Sequence, residues 1–232
     1  MFVYDAFISY LCIRHYTYIM HIKTHAKDLL INKIEKDMER NKTNTDNLST
    51  LRSGEWMNGF TDDIAAALSQ CAEQCFRLNA LSPLCRSERE EIVREMLGRI
   101  GERFVIHSPF RCDFGTNIHI GNNFIGNFNL AILDEAEVTI GDNVFIGPNC
   151  SLCTVIHALD AGQRNAGIMR ALPITIGDNV WIAANVVVLP GVTIGSRAVI
   201  GAGSVVTRDI PADVLAAGNP CRVIKPIPTS LS

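Results

Sequence analysis

The sequence predicts a mainly β fold, a parallel β-helix of hexapeptide repeats, preceded by an N-terminal α-helical segment. Three observations carry this expectation. An aliphatic residue returns every six positions at Ile176, Ile182, Val188, Ile194, Ile200 and Val206, a step that fits neither a helix nor a strand. Four residues after the first five of these stand Val180, Val186, Val192, Ala198 and Ser204, most of them small. The pieces between carry "GNN", "GDN" and "GPN", residues that suit tight corners because left-handed φ is cheapest for Gly and Asn. A fixed six-residue period means a solenoid in which each hexapeptide gives one short strand and one turn. Three hexapeptides then close a triangular coil of about 18 residues with the aliphatic side chains stacked inside.

Residues 1–50 form a separate block. Ile8, Leu11, Ile19, Ile22, Leu29, Leu30, Ile34 and Met38 fall roughly at helical spacing, and "ERNKTNTDNLST" (39–50) reads as a polar linker. This block is expected to be a helical or partly disordered extension. Its apolar start carries Asp5, Arg14 and His15 and lacks a small-residue cleavage site, so it is a poor signal peptide.

Residues 51–105 read as a helical cap. "FTDDIAAALSQCAEQCFRLNAL" begins with Thr61 or Asp62 as N-cap, and Pro83 breaks it. "SEREEIVREMLGRIG" opens with Ser87 and Glu90 at capping-box spacing and is expected to stop at Gly101. A solenoid leaves its terminal coil open, so this segment is expected to cover it.

From 106 to 232 the hexapeptide grammar holds. Ile140, Ile146 and Leu152 keep the step, and Ile120, Gly126 and Ile132 form a looser copy. Between Leu152 and Ile176 it is interrupted by "CTVIHALDAGQRNAGIMRALPIT". We expect a loop, 154–173, thrown out from a rigid prism, where chemistry tends to sit. His157 lies at its root. From spacing alone, His157 reads equally as a structural histidine and as a reactive one.

The stretch 104–226 resembles the hexapeptide-repeat acyltransferases, in particular the maltose/galactoside O-acetyltransferase branch, with nodulation acetyltransferases as near relatives. The blocks that carry the resemblance are "FRCDFGTNIHIGNNFIGNFNLAILD", "IGDNVFIGPNCSL", "IHALDAGQRNAG", "PITIGDNVWIAANVVVLPGVTIG" and "AAGNPCRVIK", with "SGEWMNG" at the start of the helical region. The resemblance implies a left-handed β-helix, a homotrimer with each site between two subunits, and acetyl-CoA as co-substrate with no metal required. It implies His157 as general base, since an imidazole accepts a proton near neutral pH, and the backbone N–H of Ala184 as oxyanion donor. Asn127, Asp113, Glu135 and Met169 would meet a hydroxylated, sugar-like acceptor. Trp181, Ala184, Gly201, Ala202, Thr207, Arg208, Arg222 and Lys225 would hold the CoA. Asp134 and Glu135 read equally well as solvated turn residues. The resemblance groups the loop and Asn127 on one subunit and the CoA strip on its neighbour. Ala158 stands where many relatives have proline, Asn58 or Gly59 where they often have an acidic contact, and Ile125 where they have an aromatic. All three departures touch the acceptor side.

The net charge of −3 gives no reason to expect nucleic acid or an anionic membrane as partner. No run is long enough for a membrane span. The eight cysteines show no secreted framework and read as reduced thiols of a cytoplasmic protein. "CSLC" (150–153) is read as structural. Two competing readings stand beside the transferase. A non-catalytic scaffold would keep the repeat and lose the base. A γ-carbonic-anhydrase-like zinc enzyme needs three histidines, and His107, His119 and His157 do not have the spacing.

Overall fold

The computed structural model describes residues 47–228; the extension expected over 1–50 falls almost wholly outside the described residues. Residues 47–53 are helical and lead to the short strand β1 (Met57–Asn58), then to α1 (Asp62–Ala80) and α2 (Arg86–Met96). Thr61 is the N-cap of α1, but its side chain makes no capping hydrogen bond. The box expected at Ser87 and Glu90 does not form. Cys85 is the N-cap of α2, which begins at Arg86. Nor does Gly101 end this helix. It stops at Met96, because Arg99 and Ile100 already pair with the next coil.

The rest is a mainly β, left-handed parallel β-helix with three faces. The first face holds β2 (Arg99–Ile100), β5 (Ile118–Ile120), β8 (Val138–Ile140), β13 (Ile174–Ile176) and β16 (Thr193–Ile194). The second holds β3 (Val105–Ile106), β6 (Ile125–Gly126), β9 (Phe145–Ile146), β14 (Trp181–Ile182), β17 (Val199–Ile200), β19 (Val214–Ala217) and the antiparallel β20 (Arg222–Pro226). The third holds β4 (Phe110–Cys112), β7 (Leu130–Leu133), β10 (Ser151–Cys153), β15 (Val187–Val188) and β18 (Val205–Val206). The aliphatic residues of the six-residue step line the interior: Ile140, Ile146, Leu152, Ile176, Ile182, Val188, Ile194, Ile200 and Val206 belong to one continuous buried core. Asn123, Asn143 and Asn179 turn one edge, and Asn129, Asn149 and Asn185 the next, all with φ between 56° and 59°. Their amides also stack: Asn129 Nδ2 donates to Asn149 Oδ1 at 2.8 Å.

One expectation about coil length changes. In the later coils Ile176 pairs with Ile194, eighteen residues on. In the early coils Ile100 pairs with Ile120 and Ile120 with Ile140, twenty residues on. The two added residues sit at the edge between the third and first faces, around Asp113 and around Asp134. That edge is therefore wider than the others, and the insertion after Leu152 leaves from it.

The helical segment packs on the start of the prism. Ile64, Cys71, Cys75 and Leu78 of α1 and Ile92, Val93 and Met96 of α2 are buried. β4 ends its sheet, and Asn79 covers its free backbone: Nδ2 donates to Phe110 O at 2.8 Å and Oδ1 accepts from Phe110 N at 2.9 Å. Arg89 bridges the carbonyls of Leu78 (2.8 Å) and Ile106 (3.1 Å), joining α1 to the second face. Pairing these exposed ends satisfies groups that would otherwise template aggregation or lie buried without partners.

Candidate active site

The insertion is not the irregular loop that its composition suggests. It folds as a hairpin, β11 (Val155–His157) and β12 (Ile168–Ala171), with a short helix α3 (Ala161–Asn165) at its tip. Asp160 caps α3 by accepting from Gln163 N at 2.9 Å. β1 adds to β12 as a third strand, so Met57, Met169 and His157 form one cross-strand row. Facing residues in such a row lie on the same side of the sheet. Met169 is buried in a second, smaller core with Leu51, Ile64, Phe114, Ala136 and Ala171, against which Met57 and Val155 pack. Gly59 N donates to Gly167 O at 2.8 Å, and a Cβ at Gly59 would collide with Met169 Sδ. The helical segment thus does more than close the prism: it clamps the hairpin that carries His157. The imidazole itself is exposed.

Where the hairpin leaves the prism, at Thr154, the wide edge holds a cluster of carboxyl groups. Asp134 and Glu135 are 0% and 8% exposed, which rules out the solvated-turn reading. Asp134 Oδ1 accepts from Asp113 N (3.0 Å) and Phe114 N (2.9 Å) and so holds the added residues of the preceding coil. Thr154 Oγ1 donates to Leu133 O (2.7 Å), accepts from Ala136 N (3.0 Å) and lies 3.4 Å from Glu135 Oε2. Burial pushes the Asp134 carboxyl up to about 6, against the pull of its two backbone donors. Burial also pushes Glu135 up to about 8, and the neighbouring Asp113 carboxylate adds to the shift. Asp113 is raised by burial too, while its hydrogen bond with Glu135 works the other way. Two carboxyl groups in contact share one proton, and here Glu135 keeps it.

The proton on Glu135 has a consequence for stability. The unfolded chain releases it near pH 4.5 and the folded chain near pH 8. Between these values the unfolded state binds fewer protons, so stability falls as pH rises through that window. The effect is on the order of a few kcal/mol. Glu135→Gln removes the ionisation. Urea melts from pH 5 to 8 should show a falling midpoint for the wild type and a flatter profile for the variant.

The remaining residues lie elsewhere on the prism. Asn127, Ala184, Gly201 and Ala202 stand on the edge between the second and third faces, after β6, β14 and β17. Asn127 N bonds Ile146 O, and Ala183 N bonds Ile200 O, which keeps these corners in file. The file is lined by small residues, Gly147, Ala183, Ala184, Gly201 and Ala202, and the Ala184 N–H donates to no group among the described residues. Asn127 therefore falls in line with the expected CoA strip and not with the hairpin: β7 runs between Asn127 and Glu135. On the outer side of the second face, Val105, Ile125, Phe145, Trp181, Val199, Leu215 and Lys225 form one cross-strand row. Val105, Ile125, Phe145 and Trp181 are each more than a third exposed. Thr207 and Arg208, both exposed, follow β18 on the wide edge. Arg222 lies on β20, its Nη1 donating to Cys221 O at 2.7 Å. Within one chain, then, His157, Met169, Asp113 and Glu135 share the wide edge, while Ala184 and the small-residue strip occupy another.

Three sequence families match. The maltose acetyltransferase hexapeptide capping motif covers 51–101, the succinyltransferase hexapeptide repeat 137–156, and the bacterial transferase hexapeptide 173–208. Galactoside O-acetyltransferase of Escherichia coli is 50% identical over 152 residues, 66% of this chain and 75% of the relative. The chain belongs to the hexapeptide-repeat acetyltransferases, in the maltose/galactoside branch. Among solved structures, a maltose O-acetyltransferase of Clostridium difficile matches with TM-score 0.77 at 41% identity, covering 78% of this chain and 97% of that one. A galactoside acetyltransferase in complex with coenzyme A matches with TM-score 0.75 at 43% identity, covering 78% and 90%. The member described here is an acetyltransferase of this family. Asn58, Gly59 and Ala158 stand at the hairpin, whereas Ile125 stands apart from them on the second face, in the row of Val105 and Phe145.

His119 is on the first face with Nε2 4.0 Å from Glu137, and His107 follows β3. The three histidines form no metal-type group among the described residues. In "CSLC", Cys150 is buried and lies 3.1 Å from Ala183 O; both of its cysteines are free thiols. No helix among the described residues is long and apolar enough to cross a membrane.

Proposed function

We propose that this protein moves the acetyl group of acetyl-CoA to a hydroxyl of a sugar or sugar-like acceptor, with His157 as general base. The observation that carries the reading is an exposed imidazole on a clamped hairpin that leaves the prism at the wide edge, the edge that also holds half-buried Asp113 and buried Glu135. His157 takes the proton of the acceptor hydroxyl, and the oxygen attacks the thioester carbonyl. The Ala184 N–H, which donates to no group among the described residues, meets the developing oxyanion. As the intermediate collapses, the C–S bond breaks and the imidazolium returns the proton to the sulfur. The products are an acetyl ester and free CoA thiol.

The Asp113–Glu135 pair suits a hydroxylated acceptor, because one proton and several lone pairs can both give and accept hydrogen bonds. The small-residue edge lets an extended pantetheine arm lie on backbone, beside Trp181. The cations of Arg208, Arg222 and Lys225 suit phosphates. His157 and Ala184 stand on different edges of one prism, so the working site is completed by a neighbouring chain in a homotrimer. The outward row Val105, Ile125, Phe145 and Trp181 is an apolar stripe of the kind that subunits cover. Such an enzyme operates in the cytoplasm, where acetyl-CoA is present.

The test is thiol release from acetyl-CoA against a panel of sugars, with mass spectrometry of the product and sedimentation of the enzyme. Release with an O-acetyl sugar as product, from a trimer, is expected. Release with no sugar, or only with amines, contradicts the acceptor assignment, and a fully active monomer contradicts the shared site.

A further inference from the structure

The helical cap meets the first coil at a point where four sulfur atoms converge. Cys71 and Cys75 stand four residues apart on one face of α1, Met96 is the last residue of α2, and Cys112 ends β4. Cys112 Sγ lies 3.5 Å from Cys71 Sγ and 3.8 Å from Cys75 Sγ. Met96 Sδ is 3.8 Å from both Cys75 Sγ and Cys112 Sγ. The three thiols all fall within 4.8 Å of one another. All four residues are buried, Cys75 completely. The carbonyl of Cys112 is the oxygen near the thiols, 3.5 Å from Cys71 Sγ.

We infer that Cys71, Cys75 and Cys112, with Met96 as a fourth sulfur, form a structural site for one thiophilic d10 cation, zinc or cuprous ion. The spacing fits. Thiolates about 2.3 Å from a tetrahedral ion stand roughly 3.8 Å apart. Sulfur ligands select soft cations, and the thioether adds to the preference for copper(I). The donors come from three separate elements, two of them the helices of the cap, so a bound ion would fasten α1 and α2 to β4. Enclosure means that the ion enters before the cap has docked, as in small domains whose folding is coupled to metal. The site lies apart from the transfer reaction. It bears on the reaction by position, since Cys112 precedes Asp113 in the widened edge.

This site is independent of the acetyl transfer proposed above, and its test reads no activity. The full-length protein, reduced and stripped of metal, is titrated separately with zinc, with cuprous ion held in a competing chelator, and with cadmium as a spectroscopic probe. One equivalent bound, a thiolate-to-cadmium charge-transfer band and a raised melting midpoint are expected. Cys75→Ser should lower the band by about a third and weaken binding by at least about tenfold. Met96→Leu conserves volume and should weaken cuprous ion more than zinc. Replacing Cys12, Cys85 and Cys153 together by Ala should leave the band unchanged. Stronger retention of zinc or of copper identifies the ion. Absence of a stoichiometric band, a band of undiminished intensity and unweakened affinity in Cys75→Ser, or recovery of the cluster from reducing medium as a disulfide overturns the proposal.

Discussion

His157→Ala should lose about two to four orders of magnitude in kcat with a sugar acceptor, the usual contribution of a positioned general base. The physical reason is specific to this site. The acceptor hydroxyl is a poor nucleophile while protonated, and no other imidazole shares the hairpin. The carboxyl groups of the wide edge are poor substitutes: Glu135 is held protonated by burial. The substitution should leave stability nearly unchanged, because the side chain is exposed and its strand is held through Met169 and β1. His157→Asn should behave like Ala in rate, since an amide hydrogen-bonds but does not accept the proton. Hydrolysis of acetyl-CoA without acceptor is the control. A variant that keeps wild-type kcat on its best acceptor, with matched KM, removes the base from His157.

Asp134→Ala should produce the largest loss of stability among the polar substitutions. Its carboxylate is fully buried and accepts two backbone N–H bonds, from Asp113 and Phe114. Removing it leaves both donors without a partner, that of Phe114 in a buried residue. Each orphaned group costs about 1–3 kcal/mol, so the total is about 2–6 kcal/mol, or a fall of roughly 4–24 °C in melting midpoint at about 2–4 °C per kcal/mol for a chain of this size. Asp134→Asn keeps one acceptor oxygen and places an amide where Oδ2 already lacks a partner. It should cost less than Ala. Thermal melts of the two variants against wild type check the ordering. Equal and small effects would mean that the widened edge is held by something other than this side chain.

The repeat was legible because its period is written in one residue class. Ile176 to Val206 needs no tertiary information, and Asn at the corners follows from φ alone. The widened edge was equally present in the sequence, as the eight-residue step from Ile132 to Ile140, but it looks like a slip in the repeat until the register is known. The hairpin was hidden for another reason. Ile168–Ala171 pairs with Val155–His157 across a connection, 158–167, that holds a helix and carries no tight-turn signal, and its other edge is held by Met57–Asn58, more than a hundred residues earlier in the chain, a partner that no local pattern announces. Asp134 and Glu135 look like turn residues because they are turn residues; the cap and the hairpin are what bury them. The sulfur cluster escaped for the same reason, since i, i+4 cysteines on a helix signal nothing until a strand delivers Cys112 beside them. The helix ends were misplaced where pairing with the first coil, at Arg99–Ile100, overrode the local stop signal at Gly101.

If two chains complete each acetyl-transfer site, subunit mixing should restore activity to two defective variants. His157→Ala removes the base from the wide edge, and Ala202→Trp, at an exposed corner, blocks the small-residue strip. Each should be inactive alone. Co-expressed in equal amounts and assembled at random, they should recover about a quarter of wild-type thiol release with a sugar acceptor, because that share of interfaces joins two intact halves. A mixture no more active than its parents, with mixed trimers verified by mass, would contradict the account.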